Sequence, residues 1–208
     1  MKWDEAGLVT IVAQDRLSGT VRMVAHANEE ALLATQRTGE AHFYSRSRQT
    51  LWRKGETSGH TMAVSEIWVD CDADAVIYMV DPVGPSCHTG QVTCFFRRLG
   101  GEAGLATPVV ERLGEVISAR AAGTAEKSYT KSLLEAGAAR IGEKVREEAA
   151  ELAVALERES DERVISESAD VLYHAMVGLQ ARGLTLRDVE KELARRFGVS
   201  GHDEKASR

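Results

Sequence analysis

The chain has three cysteines in 208 residues, and each stands among groups that bind metal ions. Cys71 lies inside the acidic run Asp70-Cys71-Asp72-Ala73-Asp74. Cys87 and Cys94 bound the segment Cys87-His88-Thr89-Gly90-Gln91-Val92-Thr93-Cys94. Thiolates are soft donors that suit zinc, and carboxylates are hard donors that suit magnesium. Interleaving the two points to different metals held side by side. As a strand, residues 70–74 would put Asp70, Asp72 and Asp74 on one face and Cys71 on the other. Three thiolates around zinc leave the open position that catalysis needs, whereas a structural zinc takes a fourth ligand, for which His88 is the local candidate.

A second set of carboxylates lies in the other half. Residues 138–158 read as a long helix with an apolar stripe at Ile141, Val145, Ala149, Leu152 and Leu156. Glu148 falls ~60° from the centre of that stripe, with Glu151 a turn later, Lys144 a turn earlier and Glu147 further out. The next helix runs from after Ser160 to before Gly183, and between Val164 and Ala181 its only acidic side chains are Glu167 and Asp170. Glu167 is in line with Val164 and Val171 and so faces the interior, where a carboxylate needs a positive partner. Glu148, Glu151, Glu167 and Asp170 from two antiparallel helices make an oxygen cage suited to Mg²⁺ carrying phosphates.

Two kinds of element must position these groups. Up to about residue 100 the chain is β-rich. Strands are expected at 8–13, 20–25, 42–45, 62–70, 75–80 and 94–97, with a helix at 29–38 between an Asn28 cap and a Gly39 stop. Residues 101–107 read as a linker. Beyond it all is helical. Thr107 and Pro108 open the first helix, Ser128 caps a short one that Gly137 ends, and Thr185 with Asp188 forms a capping box for a last helix stopped by Gly198. Residues 201–208 are expected to be a flexible tail. The fold is therefore two domains, a β-rich α+β metal-binding domain at 1–100 and an all-α bundle at 108–200. A net charge of −6 argues against nucleic-acid binding, which needs a basic face. No apolar run reaches the ~20 residues of a membrane span. The N-terminus lacks the apolar stretch of a signal peptide, and three cysteines fit metal ligation in a reducing cytoplasm better than disulfides.

The runs Ser45-Arg46-Ser47-Arg48, Leu51-Trp52-Arg53-Lys54-Gly55-Glu56-Thr57-Ser58-Gly59, Asp70 to Asp74 and Gly84-Pro85-Ser86-Cys87-His88-Thr89-Gly90 resemble phosphoribosyl-AMP cyclohydrolase. Ser128-Tyr129-Thr130, Glu147-Glu148-Ala149-Ala150-Glu151 and Glu167-Ser168-Ala169-Asp170-Val171-Leu172-Tyr173-His174 resemble phosphoribosyl-ATP pyrophosphohydrolase, an all-helical, MazG-like bundle. In this order the halves resemble the bifunctional enzyme of histidine biosynthesis. The resemblance implies Mg²⁺ on Asp70, Asp72 and Asp74. It implies Zn²⁺ on Cys71, Cys87 and Cys94, with ligands drawn from both subunits of a homodimer. His60 stands where the family often has asparagine, His26-Ala27 replaces a larger pair, and Pro-Glu-Gly is absent before Ser128.

Roles follow as expectations. Mg²⁺ on Glu148, Glu151, Glu167 and Asp170 would hold the triphosphate, Glu147 or Glu148 would orient water, and Lys144 would meet phosphate. Zinc would supply hydroxide to purine C6. His88 is the first candidate for proton transfer and His60 the second, and Arg46, Arg48, Trp52, Arg53 and Lys54 would bind the nucleotide, the cations clamping its phosphates. The rival reading is a zinc-stabilised dimerisation module joined to a generic nucleoside triphosphate pyrophosphatase.

Overall fold

The first strand, Val9–Asp15 (β1), is buried at every second residue, as a sheet covered on one face requires. In this computed structural model residues 1–100, 107–123 and 128–197 are described. They belong to two units, Met1–Pro108 and Val109–Arg208. The linker up to residue 106 and the chain from Gly198 onward, including the expected stop and tail, lie outside the described residues.

In the first unit β1 pairs antiparallel with Val21–Ala27 (β2) and parallel with Ala75–Pro82 (the last strand, β6). Met62–Val69 (β5) pairs antiparallel with β6, giving the order β2-β1-β6-β5. Helix α1 (Glu29–Thr38) begins where Asn28 accepts from the Ala31 N–H at 2.9 Å and ends at Gly39, whose φ of 69° is the left-handed conformation glycine adopts freely. His42–Ser45 (β3) and Thr50–Arg53 (β4) make a separate ribbon. Ile11, Phe43, Met62, Val76, Tyr78 and Val80 fill the core.

Two expected strand segments are not strands. Residues 70–74 form the turn between β5 and β6, so side-chain alternation cannot separate Cys71 from the aspartates. The cause is local: Asp70 Oδ1 accepts from the N–H groups of Asp74 and Ala75, both at 3.0 Å, and Ala73 takes a φ of 63°. Residues 94–97 form no strand either. Cys94 N–H donates to the Arg22 carbonyl at 2.9 Å, and Thr93 Oγ1 donates to the Val21 carbonyl at 2.6 Å, so one residue pair anchors the loop where a ladder was expected. The ribbon strand β4 was not anticipated, because its polar ends mask any alternation.

The second unit is helical: Val109–Ala122 (α2), Tyr129–Arg158 (α3), Asp161–Ala181 (α4) and Leu186–Arg196 (α5). At Gly137 the backbone leaves helical geometry, with φ 85° and ψ 175°, so α3 is two helices joined there, as the Ser128 cap and Gly137 stop lead one to expect. Its buried face differs from the expected stripe. Ile141, Glu148 and Ala155 are buried and Val145 and Leu152 half-buried, while Ala149 and Leu156 are exposed. The face is turned toward α4 and carries Glu148 at its middle. Ile117, Leu133, Ile141, Met176 and Val177 form the core.

The capping box of α5 is formed: Asp188 Oδ2 accepts from the Thr185 N–H at 2.9 Å, and the Thr185 side chain takes the Asp188 N–H. Thr185→Ala removes one half of it. The expected loss is about 1 kcal/mol of unfolding free energy, read from urea denaturation.

Candidate active sites

The turn between β5 and β6 gathers three carboxylates. One oxygen from each of Asp70, Asp72 and Asp74 lies within 4.8 Å of the others, and all three residues are exposed. The Asp70 carboxyl is held below its ordinary range by the Ala75 N–H and then by Asp72 and Asp74. Lys2 Nζ reaches Asp72 at 3.2 Å. Asp74 also lines a cavity of about 290 Å³ with Lys2, Trp3, Asp4, Leu8, Thr10 and His26. Burial and then the nearby Arg46 charge lower the His26 pKa, so Arg46 lies on this side of the unit.

A second centre is built by loops. Cys87 N–H donates to the Gln91 carbonyl and Gly90 N–H to the Cys87 carbonyl, each at 3.0 Å, which folds residues 87–91 into a tight turn and returns the chain toward Cys94. The Thr89 hydroxyl donates to Cys87 Sγ at 3.1 Å. That bond and the Thr89 N–H are the main causes lowering the Cys87 pKa, and the Cys94 thiol beside it adds to them. Cys94 is pushed up by desolvation and by Cys87. Cys71, exposed on the β5–β6 turn, does not join them in any group of three with ligand atoms within 4.8 Å. A buried ion pair steadies this loop. Arg22 Nε donates to Asp15 Oδ2 at 3.1 Å, and its Nη1 donates to the Val92 carbonyl at 3.1 Å, so β1, β2 and the cysteine loop share one guanidinium.

Lys54 belongs to the thiol centre. It is buried, its Nζ donates to the His60 carbonyl at 3.3 Å, and desolvation lowers its pKa against the opposing charges of Cys94 and Cys87. Gly55 makes this approach feasible: its φ is 82°, and a Cβ there would fall 2.5 Å from the His60 carbonyl carbon. The His60 ring lies against Gly84, where a Cβ would meet Cδ2 at 2.9 Å. His88 is exposed, with Nδ1 3.9 Å from Cys87 Sγ.

The basic side chains that are neighbours in sequence do not gather in space. Arg46 and Arg48 are exposed beside the β3–β4 turn. Arg53 is at the far end of β4, paired with Glu40. Trp52 is half-buried against Phe43, with ring centroids 4.8 Å apart.

In the helical unit Glu148, Glu151 and Glu167 each place one oxygen within 4.8 Å of the others; Glu148 and Glu167 are buried and Glu151 is exposed. Asp170 stands outside that triad, but its charge, with those of Glu151 and Glu148, raises the Glu167 pKa. Burial is the larger cause and Arg163 opposes it. Each buried carboxylate has a cation from one turn earlier. Lys144 Nζ lies 2.9 Å from Glu148 Oε1 and 3.0 Å from Glu147 Oε2. Arg163 Nη2 lies 2.7 Å from Glu167 Oε1. The hydrogen bond from Lys144 is also the main cause holding the Glu147 carboxyl below its usual range. His174 accompanies the triad: its Nδ1 donates to the Asp170 carbonyl at 2.9 Å, and Nε2 hydrogen-bonds with the Tyr129 hydroxyl at 3.1 Å.

Arg163, Asp15, Arg22 and His174 also contribute to these sites, without standing among the candidate residues of the sequence. Only the four-residue spacing of Arg163 and Glu167 signalled its contact in advance.

Comparison with known proteins matches both units. Residues 23–96 fit the family model for phosphoribosyl-AMP cyclohydrolase and residues 110–197 that for phosphoribosyl-ATP pyrophosphohydrolase. The chain is 46% identical over 201 residues to the histidine biosynthesis bifunctional protein HisIE of Aquifex aeolicus, covering 95% of this chain and 98% of that protein. It is 47% identical over 194 residues to the Thermus thermophilus protein of that name, covering 93% and 90%. The chloroplastic counterpart of Arabidopsis thaliana is 42% identical over 222 residues, covering 100% and 79%. The chain belongs to the bifunctional HisIE family of histidine biosynthesis. It is a hydrolase with a strand-rich cyclohydrolase half and a helical pyrophosphohydrolase half. The thiol and aspartate groups fall inside the first matched segment and the glutamate triad inside the second, so each HisIE half carries its own carboxylate cluster. Among the described residues no helix is long and apolar enough to cross a membrane.

Proposed function

We propose that each half of this HisIE protein works through the cluster described for it. Residues 108–200 hydrolyse phosphoribosyl-ATP to phosphoribosyl-AMP and pyrophosphate, and residues 1–100 open the adenine ring of that product between N1 and C6. The observation that carries this assignment is the pair of neighbouring thiols that the first half adds to its carboxylates, beside a second half that gathers carboxylates. Hard oxygen donors converge on α3 and α4, and soft sulfur donors meet in the loops beside β2.

Glu148, Glu151 and Glu167, with Asp170 beside them, suit Mg²⁺, as their crowding of negative charge requires a cation. Asp70, Asp72 and Asp74 form a second hard site. Cys87 and Cys94 suit Zn²⁺, and Cys71 completes the set from the other subunit of a homodimer. When bound, zinc makes water nucleophilic near neutrality and magnesium neutralises phosphate charge. The chain's own side chains do the remaining work. Glu147, exposed and kept ionised by Lys144, orients water at the phosphorus next to the ribose, a role Glu148 shares. Lys144 contacts the departing phosphates. In the other half water adds at C6, the N1–C6 bond breaks, and N1 receives a proton. His88 moves that proton, with His60 the alternative donor. Arg46, beside His26, meets a phosphate near the aspartates, and Lys54 meets the nucleotide at the thiol centre; Arg48 and Arg53, at opposite ends of β4, do not join them in one clamp.

Self-association is supported by apolar side chains left exposed in one chain: Trp68 and Val69 on the edge strand β5, Val154 and Leu156 on α3, and Ile165 on α4. Three free thiols accord with a reducing cytoplasm.

Incubation with phosphoribosyl-ATP, Mg²⁺ and Zn²⁺, with products identified by mass spectrometry, tests the assignment. Pyrophosphate and phosphoribosyl-AMP should form first, followed by a species one water heavier than phosphoribosyl-AMP. Equal turnover of ordinary nucleoside triphosphates, without the heavier species, would overturn it.

A further inference from the structure

We propose that Arg163 is a phosphate-binding residue of the pyrophosphohydrolase site, held on Glu167 until a divalent cation takes that carboxylate. The inference rests on the glutamate cage assigned above. Arg163 is on the first turns of α4, and its guanidinium bridges two carboxylates: Nε to Glu159 Oε2 at 3.1 Å and Nη2 to Glu167 Oε1 at 2.7 Å. The two ends of that bridge differ. The Glu167 side chain is 3% exposed and the Arg163 side chain 52%. A buried carboxylate is thus capped by a half-exposed cation at its rim.

Lys144 repeats the device on the facing helix, with Nζ 2.9 Å from Glu148 Oε1. Both pairs have the cation four residues before the acid. Both acids belong to the group whose oxygens converge within 4.8 Å. Arg163 and a divalent cation therefore call for the same Glu167 carboxylate. With a divalent cation held by Glu148, Glu151 and Glu167, the guanidinium would meet less negative charge there. The long, half-exposed side chain then turns to the strongest acceptor at the rim, a phosphate carried by that cation. The planar fork of arginine suits a phosphate in two-point contact, which a lysine ammonium cannot reproduce. Glu159, at the end of α3, keeps the stem in place throughout.

The competition gives this role a signature that an ordinary ion pair lacks. Arg163→Gln removes a rival for Glu167 and a ligand for phosphate in one step. Without nucleotide, the Mg²⁺ site that Glu148→Gln removes should, by calorimetry, bind about threefold more tightly in Arg163→Gln, the scale of one half-exposed ion pair. With phosphoribosyl-ATP as substrate, KM should rise about tenfold or more, as expected for a lost charge-assisted contact, while kcat changes less. Arg163→Lys should recover part of the KM and restore Mg²⁺ binding to the parent level. If Arg163→Gln binds Mg²⁺ no more tightly than the parent, or leaves KM unchanged, the proposal is overturned. A purely structural brace would lower the melting temperature without moving the two constants in opposite senses. Glu148→Gln is the control for the underlying assignment. If it loses Mg²⁺ while Arg163→Gln changes nothing, only the role of Arg163 fails. If it binds Mg²⁺ like the parent, the cage assignment fails, and the proposal with it.

Discussion

Cys94→Ser should abolish ring opening and leave pyrophosphate release at the parent rate. The expected loss is at least ~10⁴-fold, because zinc lowers the pKa of water from near 16 to about 7 and that advantage goes with the metal. Serine keeps the size of the side chain but offers a hydroxyl where a soft donor is needed. The substitution also spares the fold. Cys94 is an exposed loop residue, and its main-chain bond to Arg22 does not involve the sulfur. Cys87 is a harder test of structure, since it is buried and accepts from Thr89. Two assays and a zinc determination decide the matter. The phosphoribosyl-AMP assay should fall with zinc content, and the phosphoribosyl-ATP assay should not change. Loss of both activities in a folded variant would mean that the halves do not act independently. Retention of ring opening without zinc would remove the thiols from the chemistry.

The ends of α1 could be read from the sequence because their causes lie within a few residues: Asn28 caps its own turn and Gly39 supplies its own positive φ. The same holds for the Thr185–Asp188 box. The inward turn of Glu167 was also legible, since nothing else on that stretch of α4 could explain a lone acid in line with valines. Features set by a distant partner were not. Residues 70–74 look like a strand until Asp70 takes the N–H groups of Asp74 and Ala75 for its own side chain. Ala149 and Glu148 compete for the same face of α3. Apolar periodicity alone favours alanine, whereas α4 brings His174 Nδ1 to 3.7 Å from Glu148 Oε1 and so gives the glutamate a polar neighbour on the inner face. The basic run from Arg46 to Lys54 shows the same limit. Adjacent in sequence, its members part because β3 and β4 pair antiparallel and carry Arg53 and Lys54 away from the turn.

Replacing Glu167 by glutamine should reduce pyrophosphate release more than ~100-fold, leave ring opening intact, and slightly raise the melting temperature measured without divalent cations. The activity follows from removing a buried ligand, since even the partners behind a metal ligand cost 10–100-fold when changed. The stability follows from the charges around it. Burial, Glu151, Asp170 and Glu148 all raise the Glu167 pKa, and only Arg163 lowers it. An acid whose folded pKa lies above its unfolded value binds more protons when folded, so stability falls as the pH rises from the ordinary carboxylate range through the folded value. At neutral pH the ionised form therefore works against the fold, and a neutral amide relieves it. Arg163 is not stranded by the change, because Glu159 still holds its Nε. Thermal unfolding with and without Mg²⁺ separates the two effects. Added Mg²⁺ should stabilise the parent more than Glu167→Gln, whose gain is limited to what Asp70, Asp72 and Asp74 supply. A variant that melts below the parent without divalent cations would show the carboxylate to be a structural ion pair, and one that still releases pyrophosphate at the parent rate would take Glu167 out of the metal cage.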